Sequence, residues 1–191
     1  ENIYMLTGAG GNIGVTQGAD GMLMIDDQYA PLSDKIKAAL SKISSGAPTY
    51  LLNTHYHGDH TGGNAAFGAD STIVAHHNVR VRLVNENSEQ EALPVITYAD
   101  NAKIHFNGEA IVLIHKPNGH TDGDTMVHFS SSNVVHMGDN FFNGRFPYVD
   151  TGAGGSVDGL IKAVEHMLEQ VNETTKIIHG HGHLADKSDP E

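Results

Sequence analysis

The sequence predicts an α/β fold: two β-sheets packed face to face with helices outside, a sandwich of four layers. Three observations lead to it. Short apolar runs bounded by glycine recur along the chain, amphipathic helical stretches separate groups of them, and the order β-rich then α occurs twice. A chain of 191 residues can bury a sizeable core but is short for two ordinary domains, so a single domain over residues 1–191 is expected.

Residues 3–6, 13–15 and 22–25 are apolar and are separated by Gly8-Ala9-Gly10-Gly11 and Gly18-Ala19-Asp20-Gly21, the pattern of an antiparallel meander. Over residues 31–45, Leu32, Ile36, Ala39, Leu40 and Ile43 recur at helical spacing, with Pro31 suited to the first turn and Gly46 to the stop. Residues 50–54 form a buried strand that runs straight into His55-Tyr56-His57-Gly58-Asp59-His60-Thr61-Gly62-Gly63. A strand over 71–75 and a helix over 77–87 follow. Residues 103–106 and 109–115 flank Asn107-Gly108, a strong hairpin signal, and 126–129 with 134–137 make a second pair. The last helix covers about 156–171, with Ser156 as N-cap and Leu160, Val164, Met167, Leu168 and Val171 on one face, before a final strand at 176–178.

Composition narrows the function. The absence of cysteine excludes a disulfide scaffold, a thiolate nucleophile, an iron–sulfur centre and a cysteine zinc finger. The formal charge of −12, from 11 basic and 23 acidic residues, argues against a nucleic-acid partner, which needs clustered Lys and Arg. No apolar run approaches the roughly 18–20 residues that span a bilayer, so no membrane partner is expected.

The chemistry lies in the 14 histidines. His55, His57, Asp59 and His60 form H-x-H-x-D-H within six residues, and imidazole nitrogens with a carboxylate suit a borderline divalent metal such as zinc. Adjacent Asp59 and His60 are hard to bring to the ion that takes His55 and His57 without a strained chelate, so two neighbouring ions are expected, with further ligands from elsewhere. Candidates stand at strand ends: His120 in Gly119-His120-Thr121, Asp139 in Gly138-Asp139, and His181 in Gly180-His181-Gly182. His181 is preferred to His179 and His183 because glycine flanks it on both sides.

The order H-x-H-x-D-H, G-H-T, G-D, G-H-G resembles the metallo-β-lactamase superfamily, whose fold is an αβ/βα sandwich with the metals at one edge of the sheets. The resemblance runs from the opening hairpin to Gly182. It implies that His55, His57 and His120 hold one metal, that Asp59, His60 and His181 hold the second, and that Asp139 binds the second or bridges both. It also implies a buried aspartate supporting the metal loop near Asp26 and Asp27, residues that by themselves suit a plain turn equally well. Asp122, Asp124 and Thr121 are candidates for orienting ligand imidazoles. The glycine-rich tip with Asn12, and the loop with Arg145, Phe146 and Tyr148, would form the substrate wall.

The implied activity is that of a dinuclear zinc hydrolase in which two ions sharing a water lower its pKa, so that hydroxide attacks a carbonyl of a small acyl substrate. Asp59 would be the catalytic residue that orients the nucleophile and moves its proton. β-Lactam turnover belongs to this reading, but class B1 lactamases carry cysteine where this chain has Asp139, and a lysine where it has Phe142. A glyoxalase II-like thioesterase or a lactonase is the alternative of the same class. A persulfide dioxygenase using one iron is the alternative of another. Superfamily relatives of this compact type are often exported, which favours a periplasmic or secreted location.

Overall fold

A computed structural model describes residues 2–189. It is a mixed α/β structure with one six-stranded and one five-stranded sheet, as the periodicities predict. Each sheet belongs to one of two compact units, the first ending at Tyr98 and the second beginning at Ala99.

In the first unit, β1 (Ile3–Leu6), β2 (Ile13–Gly18) and β3 (Gly21–Ile25) form the antiparallel meander, with Leu6 opposite Ile13 and Gly18 opposite Gly21. β4 (Tyr50–Asn53), β5 (Thr72–His76) and β6 (Ile96–Tyr98) then add in parallel. Parallel neighbours need crossovers, and α1 (Ser33–Leu40), the pair α2 (Gly58–Thr61) and α3 (Asn64–Gly68), and α4 (His77–Asn85) supply them. The core joins Ile13, Val15, Met22, Met24, Leu51 and Ile73 to Ile36, Leu40 and Phe67 from the helices. Ala75, Val79, Leu83 and Leu93 form a second cluster, onto which Tyr56 packs.

Three features differ from the sequence reading. The helical stretch beginning at Pro31 is a 3-10 turn over Ala30–Leu32 that passes into α1, and Ile43 lies in turns beyond its end, stopped at Gly46 with φ +89°. α4 closes earlier than the spacing suggests, where Asn87 takes φ 57°. β6, a three-residue edge strand, and the short helices α2 and α3 carry too few residues to display a period.

In the second unit, β7 (Ala102–Phe106), β8 (Glu109–His115), β9 (Thr125–Phe129) and β10 (Val134–His136) are antiparallel, and β11 (Lys176–Ile178) adds in parallel to β10. Asn107 and Gly108 take φ 53° and 82°, the two left-handed positions of a type I′ hairpin. α5 (Val157–Gln170) is the crossover to β11, capped by the Ser156 hydroxyl, which accepts from the Gly159 N–H at 3.0 Å. Its Ala163 and Met167, with Val171 beyond its end, pack on Ile114, Met126, Val135, Met137 and Ile177.

Candidate metal centre

Each unit brings a set of ligand-type side chains to the C-terminal ends of its strands. In the first, the chain leaves β4 at Asn53, whose side-chain amide pairs both ways with that of Asn64 at 2.9 and 3.0 Å. This closes the segment between them into a loop. Within it, His55 Nε2 and His57 Nδ1 face each other at 3.1 Å, and His60 Nε2 lies 3.7 Å from a carboxylate oxygen of Asp59.

The second ring nitrogens of His55 and His60 are engaged by the protein. His55 Nδ1 is 3.1 Å from the Thr54 hydroxyl. His60 Nδ1 donates at 2.7 Å to Asp26, which also accepts from the Thr54 N–H and hydroxyl, both at 2.7 Å. Asp26 is wholly buried and turns the chain at the end of β3 with φ 61°. Of the two readings for this pair of aspartates, the supporting one therefore describes Asp26. Asp27 accepts from the Gly63 N–H at 2.8 Å, and burial raises its pKa well above the ordinary carboxylate value against that bond. Tyr56 lies between His57 and Arg82, its ring 4.6 Å from the imidazole and 5.1 Å from the guanidinium carbon.

In the second unit, His120 is buried and its Nδ1 donates to the Tyr148 carbonyl at 2.7 Å. Asp124 accepts from the Thr121 N–H at 2.9 Å and from its hydroxyl, bracing the turn that aims His120. Burial pushes the Asp124 carboxyl up to about 7, against the downward pull of those bonds. Asp139 sits in the tight turn Gly138–Asn140, with Gly138 at φ 53°. One Asp139 oxygen lies 3.5 Å from His120 Nε2 and 3.4 Å from His181 Nε2. A Cβ on Gly180 would fall 1.7 Å from the other oxygen, so only glycine fits there. Phe142 stacks on His181 with ring centroids 5.4 Å apart and planes 15° from parallel. His179 Nε2 bonds instead to the His183 carbonyl, and burial holds its pKa below the usual histidine value.

These spacings test the fit of a metal. Donor atoms about 2.0–2.2 Å from a four-coordinate ion stand about 3.3–3.6 Å from each other. The facing pairs, at 3.1, 3.4, 3.5 and 3.7 Å, cluster around that edge, whereas the bonds that anchor His60 and His120 have the 2.7 Å of ordinary strong hydrogen bonds. With Nδ1 of His60 and His120 donating to the protein, Nε2 of each carries the ring's lone pair and is the nitrogen that faces a carboxylate oxygen.

The sequence-derived wall residues are placed differently from one another. Asn12 is buried, Arg145 is exposed, and Phe146 is 96% exposed. Tyr148 is exposed but edge-on to His120, with ring centroids 5.7 Å apart. Sequence reasoning missed Gln28 and the Tyr56–Arg82 stack, and neither has a local signal that would reveal it.

The family model for the metallo-beta-lactamase superfamily matches residues 10–183. A hydroxyacylglutathione hydrolase of Nitrosococcus oceani is 30% identical over 163 residues, 81% of this chain and 56% of its own length. The chain thus spans about half the length of the curated relatives it matches. The structure of a metallo-beta-lactamase from Pontibacter korlensis superposes with a TM-score of 0.81 at 15% identity, over 98% of this chain and 89% of that one. TTHA1623 in a di-iron-bound form gives a TM-score of 0.73 at 19% identity, over 97% and 94% of the two chains. The extent of the family match, together with the fold, establishes that the chain belongs to the metallo-beta-lactamase superfamily.

Proposed function

We propose that this chain is a metal-dependent hydrolase of small acyl compounds, with a thioester as the leading substrate class and two zinc ions as cofactor. The observation that carries the reading is the division of labour in His55, His60 and His120: one nitrogen tied to the protein, the other facing a second ligand at metal-edge distance. His55, His57 and His120 would hold one ion, and Asp59, His60 and His181 the other. Asp139, with one oxygen nearly equidistant from His120 and His181, would serve both. When bound, such ions polarise a carbonyl and lower the pKa of a water.

The residues do the rest. Asp26 and the Tyr148 carbonyl fix the tautomers of His60 and His120, so that Nε2 of each presents its lone pair before an ion enters. Asp59 is partly exposed beside buried His60, placed to accept a proton from an attacking water and to pass it on. All donors are nitrogen or oxygen, because Asp139 stands where a class B1 lactamase would carry a thiolate. The hydroxyacylglutathione hydrolases among its relatives favour a thioester, and the exposed position of Arg145 gives a lactam carboxylate no buried cation to meet.

The test reconstitutes metal-free protein with zinc or with iron and measures hydrolysis of a hydroxyacylglutathione, a lactone and nitrocefin. Zinc-dependent thioester cleavage exceeding nitrocefin cleavage is expected, with Asp59→Ala lowering it about 100-fold or more. Turnover unaffected by chelation or by Asp59→Ala would defeat the reading.

A further inference from the structure

The glycine-rich tip between β1 and β2 lies against the Asp59–His60 pair. Gly10 and Gly11 are buried, while Ala9 between Gly8 and Gly10 is exposed. A Cβ on Gly11 would stand 2.2 Å from His60 Cε1 and 2.6 Å from both ring nitrogens, so the imidazole occupies the space that any side chain at 11 would need. A Cβ on Gly10 would stand 2.6 Å from the Asp59 carbonyl oxygen. That same oxygen accepts from the Gly11 N–H at 2.9 Å.

Gln28 ties this tip to the strand end that carries Asp26. It is buried, with φ 60°, and its Nε2 donates to the Gly11 carbonyl at 2.7 Å. Its own carbonyl accepts from the Gly63 N–H at 3.2 Å, and the neighbouring Asp27 N–H donates to the His60 carbonyl at 2.9 Å. The tip, the strand end and the ligand loop therefore close into one hydrogen-bonded circuit. His60 is held by Asp26 at its Nδ1 and by the bare backbone of Gly11 against its ring.

We propose that Gly11 and Gln28 are positioning residues for the Asp59–His60 ligand pair, and that the hairpin tip is a fixed backstop for His60. The inference rests on the reading that this pair binds an ion, and it concerns metal binding more directly than turnover. A flap that opens for substrate would need to break the Gly11–Asp59 and Gln28–Gly11 bonds and withdraw from the imidazole. The backstop instead blocks the ring swing that would carry Nε2 away from Asp59.

The test titrates metal-free protein with Co2+ and follows its visible absorption, one equivalent at a time. Wild type takes up two equivalents. Gly11→Ala, whose methyl displaces the imidazole, and Gln28→Met, which keeps the length but removes the donor, should each weaken one equivalent by about 10–100-fold and leave the other unchanged. Ala9→Ser at the exposed tip should titrate as wild type. Two wild-type affinities in both folded variants would overturn the proposal. Should Gly11→Ala fail to fold, Gln28→Met decides alone, with unchanged affinity counting against the inference. Failure of wild type itself to bind Co2+ would overturn the metal reading together with the inference, an outcome distinct from variants that behave as wild type.

Discussion

Replacing Asp26 by asparagine separates charge from shape at the point where the first ligand loop is anchored. Asparagine tolerates the left-handed backbone found there, so the substitution adds little strain. The Thr54 N–H keeps an acceptor, but the Thr54 hydroxyl and His60 Nδ1–H both donate to the oxygen that becomes an NH2 group. Two hydrogen bonds to a buried carboxylate are worth about 1.5–3 kcal/mol each. Rotation of the hydroxyl and a switch of the His60 tautomer recover roughly half, leaving a net loss of about 1.5–3 kcal/mol. For a chain of this size that lowers Tm by about 3–12 °C in metal-free protein, measurable by circular dichroism. The tautomer switch has a second effect: it moves the proton to Nε2 and removes the lone pair an ion would use. Metal affinity at this position should fall about 10–100-fold in a competition titration with a chelator. An Asp26→Asn variant with wild-type affinity for both ions would refute the argument that Asp26 sets the His60 tautomer.

The remaining predictions concern other links. Asp139→Cys should preserve the fold and alter the affinity of one ion, with a thiolate-to-metal band appearing on Co2+ loading; an unchanged spectrum would show that residue 139 is not a ligand. Ser156→Ala removes the cap on α5 and should cost about 1 kcal/mol, or roughly 2–4 °C in Tm by thermal denaturation. His128, half-buried on β9, is held below the usual histidine pKa mainly by burial, against the pull of Glu109. The folded state thus favours its neutral form, and stability present above about pH 6.5 is lost as pH falls toward the depressed value. His128→Asn should flatten that acid decline in urea denaturation of metal-free protein, and an identical pH profile would count against it.

How far the sequence discloses this molecule depends on the range of the interaction concerned. The meander, the Asn107-Gly108 hairpin and α5 are written in local periodicity and turn chemistry, and the structure has them where those signals place them. The ligand types are equally local, because H-x-H-x-D-H is compressed into six residues. What anchors those ligands is not. The contact of Asp26 with His60 spans 34 positions, and the contact of Gln28 with Gly11 spans 17. Glutamine carries no motif, and its positive φ has no signature in residue type. The same reasoning explains Asn12: the family resemblance implies a place in the substrate wall, whereas the hydrogen bonds of residues 11 and 28 draw that turn inward and Asn12 is buried. Helices α2 and α3 escaped notice because four or five residues inside a ligand loop show no amphipathic period.

Anomalous diffraction at the zinc edge, from crystals of protein loaded with that metal, tests the central claim most directly. The account predicts two peaks per chain, one at His55, His57 and His120 and one at Asp59, His60 and His181, with Asp139 reaching the second or both. Absence of a peak at either set of histidines would contradict it.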